Sequence, residues 1–89
     1  MVVCIVIYNH LLQAANFPGA IEKYTEAYNA CKDKTSKLAL TILNNRAACY
    51  QQLSTFTKVV EDCSHVLEHD ENNVKALLRR GLAMEALER

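Results

Sequence analysis

The stretch Asn16-Phe17-Pro18-Gly19-Ala20-Ile21-Glu22-Lys23-Tyr24-Thr25-Glu26-Ala27-Tyr28 decides how this chain is read. Phe17-Pro18-Gly19 is the strongest local break, and Pro18 suits the first turn of a helix, where a missing N–H costs nothing. Beyond it Ala20, Ile21, Tyr24, Ala27 and Tyr28 fall on one stripe of an amphipathic helix that runs to about Cys31. The same arrangement returns downstream. Asn16-Phe17-x-x-Ala20-Ile21-x-x-Tyr24-x-x-Ala27 aligns with Thr55-Phe56-x-x-Val59-Val60-x-x-Cys63-x-x-Val66, an offset of 39 residues from Phe17 to Phe56. An aromatic opens each block, and small or apolar residues follow at the same positions.

Working outward, the polar segment Lys32 to Ser36 reads as a loop. A helix from about Lys37 to Leu53 carries Leu40, Leu43, Ala47 and Tyr50 on one face. Ser54-Thr55 interrupts it, with Thr55 placed as the N-cap of the next helix. That helix carries Phe56, Val59, Val60, Cys63, Val66 and Leu67, with His65 and His69 on its other side. Asp70 to Asn73 is a polar turn, and a last helix from about Asn73 to Leu87 carries Val74, Leu77, Leu78, Gly81, Met84 and Leu87. The order is helix pair, helix pair, single helix.

Composition agrees. Eighty-nine residues make one small domain, and 51% apolar with 22% charged residues is an ordinary globular balance. Two glycines and one proline are too few for a turn-rich all-β domain. Ten basic residues cancel ten acidic ones, which argues against a strong, non-specific nucleic-acid binder. Cys4, Cys31, Cys49 and Cys63 are widely spaced and lie outside turn clusters, so they read as reduced core thiols of an intracellular, cytoplasmic protein. The opening MVVCIVIYNH is apolar but lacks both the basic start of a secretory signal and the length of a membrane span. It reads as a first helix or strand, or as the start of a fragment.

On these residues the chain resembles tetratricopeptide repeats, helix-turn-helix units of roughly 34 residues. Ala20, Tyr24 and Ala27 match in the first repeat after Phe17; Ala47, Tyr50 and Phe56 match in the second; Gly81 and Met84 stand in the third. The longer offset implies about five extra residues in the loop around Lys32 to Ser36. The resemblance implies an all-α solenoid of two repeats plus one extra helix. Repeat 1 covers about 1–34, repeat 2 about 37–72 and the first helix of repeat 3 about 73–88, in a fragment or short isoform. Where such repeats usually open with charged residues and a glycine, this chain has Met1 to Ile7 and Tyr8.

Leu43-Asn44-Asn45-Arg46-Ala47-Ala48-Cys49-Tyr50 and Asn72 to Arg80 further resemble the carboxylate-clamp repeats of heat-shock co-chaperones. Those repeats hold the free C-terminus of the Glu-Glu-Val-Asp peptide of cytosolic chaperones. The resemblance puts the clamp on Asn9, Asn45, Lys75 and Arg79, lines the groove with Leu12, Ala48 and Leu82, and leaves Ile5 where a clamp lysine belongs. The residue types suit the task. Lys75 and Arg79 are four apart and share a helix face, where two cations can hold two carboxylates. The asparagine amides donate without adding charge. On any helix face such cations are more often simply solvated, but Asn45 in mid-helix is a poor helix former and asks for a reason. Arg46 and Arg80 read as structural, their stems packed between repeats.

Other chemistry finds less support. Cys63-x-His65-x-x-x-His69 invites a zinc reading, yet Cys63 falls on the apolar stripe, away from His65, so the histidines read as a solvated pair and no metal or cofactor is expected. Glu61-Asp62 and Glu68 to Glu71 read as solvated faces and turns. No phosphate loop and no nucleophile with an ordered base stand out. The expectation is a non-enzymatic module that binds a protein or peptide C-terminus, with no nucleic acid or membrane partner and with weak self-association. A scaffold that docks an internal segment of its partner is the alternative.

Overall fold

The computed structural model describes residues 16–88, and four helices make up the described chain: α1 (Phe17–Ala30), α2 (Lys37–Gln52), α3 (Phe56–His69) and α4 (Val74–Glu88). All four fall within one or two residues of the expected bounds, but the apolar residues read for α4 are not its buried face: Val74, Leu77, Leu78, Met84 and Leu87 are exposed, and Ala76 and Ala83 are buried instead. Local chemistry sets the boundaries. Before α1, the Asn16 side chain accepts the Gly19 N–H at 3.1 Å, and Pro18 sits in the first turn. At its end the Lys34 ammonium donates to the carbonyls of Tyr28, Asn29 and Cys31. A cation there also meets the negative end of the helix dipole. Ser36 caps α2 by accepting the Ala39 N–H at 3.2 Å.

The α2–α3 junction is a Schellman turn. The Thr55 N–H reaches the Tyr50 carbonyl at 2.9 Å, and the Ser54 N–H reaches that of Gln51 at 3.0 Å. This geometry needs a left-handed residue, and Ser54 takes it with φ of 58°. Thr55 stands at the N-cap position of α3 as expected, but its side chain makes no capping bond. Asn73 does cap: its Oδ1 accepts the Ala76 N–H at the start of α4 at 3.0 Å.

Each helix packs on the next, and α4 also reaches back to α2. The small residues permit this close stacking: Ala20, Ala27, Ala47, Ala76 and Ala83 are all buried, as are Leu43, Val59, Cys63 and Val66. Gly81 departs from that pattern. A methyl group added there would meet nothing within 4 Å. Met84, from the same helix, is exposed.

Two polar residues contradict their surface reading. Asp62, expected on a solvated face, is buried and forms a two-pronged ion pair with Arg46 across α2 and α3, at 2.8 and 2.7 Å. Arg46 Nη1 also donates to Thr25 Oγ1 of α1 at 3.1 Å, so one guanidinium ties three helices. His65 is half-buried rather than solvated, because the ring of Tyr28 stands edge-on to it. The cause is the same in both cases: a neighbouring helix covers a face that is polar by its own periodicity.

Candidate functional site

The face shared by α2 and α4 brings together the described residues of the expected clamp. Asn45 and Lys75 line one cleft of about 340 Å³, with Thr41, Asn44, Asn73 and Val74 completing its walls. Arg79 lies one turn beyond Lys75, and its Nη1 donates to the Asn44 carbonyl at 3.3 Å. Asn45 and Lys75 are exposed, whereas Arg79 is half-buried. Neither cation takes part in an ion pair among the described residues, where Lys23–Glu26, Arg46–Asp62 and Lys58–Glu61 are the pairs formed. Ala48 lies one turn along α2 from Asn45 and is half-buried; Leu82 lies one turn along α4 from Arg79 and is 47% exposed. Asn9, Leu12 and Ile5 lie outside the described residues.

Of the four lining residues that the sequence reading did not assign to the cleft, Asn44 and Asn73 are joined by a hydrogen bond. Asn44 Nδ2 donates to Asn73 Oδ1 at 3.2 Å, the oxygen that also accepts the Ala76 N–H. That second bond fixes the orientation of the Asn73 amide, and through it that of Asn44. Asn44 Oδ1 is left buried with no hydrogen-bond partner among the described residues. A buried acceptor without a donor is costly, which makes this oxygen a natural place for a donor from outside. A sequence signal existed for both: Asn44 is a second mid-helix asparagine beside Asn45, and Asn73 immediately precedes an apolar periodic run.

Behind the cleft the thiols are inert. Burial pushes Cys63 up to about 11, and it raises Cys49 as well. Neither is a nucleophile near neutral pH.

Curated proteins resemble this chain along most of its length. Over 80 residues, 90% of this chain, it is 36% identical to the human mitochondrial import receptor subunit TOM70, of which it spans 13%. It is 38% identical over 84 residues, 91% of this chain, to sperm-associated antigen 1A of Danio rerio, spanning 20% of that protein. It is 33% identical over 79 residues, 89% of this chain, to the protein unc-45 homolog B of Danio rerio, spanning 8%. All three are proteins with tetratricopeptide repeats. The chain carries the tetratricopeptide-repeat fold. No family model matches it.

In a tetratricopeptide-repeat chain, the first helices of successive repeats lie side by side and make the concave surface. The α2–α4 contact is of that kind, and it explains why residues 30 apart in sequence, Asn45 and Lys75, share a cleft. The chain corresponds to a fifth or less of the length of the relatives it matches. Among the described residues no helix is long and apolar enough to cross a membrane.

Proposed function

We propose that this chain is a non-catalytic, cytoplasmic interaction module that takes the acidic C-terminal peptide of a heat-shock chaperone in the α2–α4 cleft. The observation that carries the reading is the cleft that Lys75 and Asn45 share across two helices, with Arg79 one turn beyond Lys75 and bonded to the Asn44 carbonyl, both cations lacking an acidic partner among the described residues. Two cations with no acidic partner among the described residues suit the two carboxylates at the end of a peptide that stops in aspartate. The Asn45 amide donates to the terminal carboxylate, and the orphaned Asn44 oxygen is available to a peptide N–H. Asn9 and Leu12 complete the groove in the resemblance, with Ala48 and Leu82 along its floor.

The reading makes the free C-terminus essential. Titration calorimetry compares a Glu-Glu-Val-Asp peptide as free acid and as C-terminal amide. Amidation weakens binding about ten- to a hundred-fold, and so does Lys75→Ala, the loss of one charge-assisted contact. Lys75 is exposed, so its replacement leaves the core alone. Equal affinity for the two peptides overturns the clamp.

A second reading rests on a different observation. Leu77, Leu78, Leu82, Met84 and Leu87 of α4 are each 45% exposed or more. Exposed apolar side chains spread around α4 suit an internal apolar segment of a partner, bound without any carboxylate. Binding of a protein fragment that survives both amidation and Lys75→Ala supports this alternative.

A further inference from the structure

We propose that His65, Glu68 and His69, near the end of α3, form a binding site for a divalent transition ion of the zinc class. The three residues stand at i, i+3 and i+4, which places them on one face of the helix. Their ligand atoms all lie within 4.8 Å of one another. An ion held at about 2.0–2.2 Å from each ligand needs them roughly 3–3.5 Å apart, a distance that side-chain rotation on one helix face can close.

The surroundings favour the site beyond spacing alone. His65 is braced from outside its own helix. Its Nε2 contacts the Lys34 carbonyl and the Tyr28 hydroxyl, each at 3.4 Å, and its ring stands edge-on to Tyr28. A carbonyl on one ring nitrogen is the usual outer support of a metal-binding imidazole: it fixes the tautomer and leaves the other nitrogen, here Nδ1, for the ion. The His69 ring lies 5.2 Å from that of His65, centroid to centroid. Asp33, in the loop between α1 and α2, adds negative charge nearby. Its carboxylate accepts hydrogen bonds from the Thr35 N–H and hydroxyl at 2.9 and 2.6 Å, which hold it in place. The Lys34 ammonium, which would oppose a cation, is drawn to three carbonyls at the end of α1.

Two imidazoles and one carboxylate suit zinc, copper or nickel; magnesium and calcium prefer oxygen ligands throughout. The set differs from the Cys-x-His-x-x-x-His string of the sequence. Cys63 is fully buried and faces the core, and Glu68 takes its place.

The test is a titration of ZnCl2 into the chain, followed by calorimetry and by the NMR signals of the imidazole rings. One saturable site is expected, with the ring signals of His65 and His69 moving together. His69→Gln should weaken zinc binding at least tenfold and Glu68→Gln several-fold; both residues are exposed, so these variants keep the core. His65→Gln should match His69→Gln, and MgCl2 should give no binding. Cys4→Ser and Cys31→Ser should change nothing. No saturable binding overturns the site, as does zinc affinity that survives His69→Gln. Affinity unchanged in Glu68→Gln overturns the three-ligand set.

Discussion

Replacing Asp62 by alanine should cost this domain a large part of its stability. The pair it forms with Arg46 is two-pronged, at 2.7 and 2.8 Å, and the two side chains are only 7% and 16% exposed. Asp62 raises the pKa of the Arg46 guanidinium, and even without that help a guanidinium stays protonated near neutral pH, so the charge remains when the partner goes. Asp62→Ala leaves that charge between α2 and α3 with Thr25 as its remaining hydrogen-bond partner at 3.1 Å. Breaking a buried pair from one side costs about 3–5 kcal/mol. Arg46 keeps some access to water and stacks near the rings of Tyr28 and Tyr50, each 5.8 Å away, which points to the lower end, about 3 kcal/mol. At ~4–8 °C per kcal/mol for a domain of this size, the thermal midpoint falls by roughly 12–24 °C. The double variant Arg46→Met with Asp62→Leu removes both charges and should be less damaging than Asp62→Ala alone. Urea unfolding followed by circular dichroism reads all three, the midpoint moving while the slope stays. If Asp62→Ala costs under ~1 kcal/mol, the pair behaves as an exposed salt bridge and the argument from burial fails.

Three further outcomes follow from single features. Ser54→Gly should stabilise the chain by about 1 kcal/mol, because glycine takes the left-handed position without steric cost; Ser54→Val should destabilise it, and urea midpoints that order these two variants otherwise would refute the strain. Cys63 has its folded pKa raised to about 11 against an ordinary 9.0, so its stabilisation is complete below pH 9 and lost as pH rises toward 11, about 2–3 kcal/mol in all. In Cys63→Ala that part of the alkaline decline should vanish, and unfolding curves measured between pH 8 and about 11 that decline alike would contradict it. The apolar face of α4, with Val74 74% and Leu78 63% exposed, should drive concentration-dependent self-association that Leu78→Glu suppresses; sedimentation that shows a monomer at every concentration would rule this out.

The four described helices and the repeat resemblance were legible in the chain because each rests on short-range order. Apolar spacing in α1 and α3, the Pro18 break and the small residues at 20, 27 and 47 report on neighbours three or four positions away, which a helix brings together by its own geometry. Lys75 and Arg79 were singled out by the family resemblance, with their one-turn spacing as the physical hint. Asn45 was found through the family resemblance, with its mid-helix position as the physical hint. What the sequence could not assign were groups whose surroundings come from another helix. Asp62 looks solvated on α3 until Arg46 of α2 and Thr25 of α1 are laid against it. His65 looks like half of an exposed pair until Tyr28 and the Lys34 carbonyl cover it. Asn44 and Asn73 are 29 residues apart and share one hydrogen bond, which turns a helix cap into a wall of the cleft. Periodicity along one helix determines which residues share a face; only the packing of the helices decides whether that face meets water, a charge or a ring.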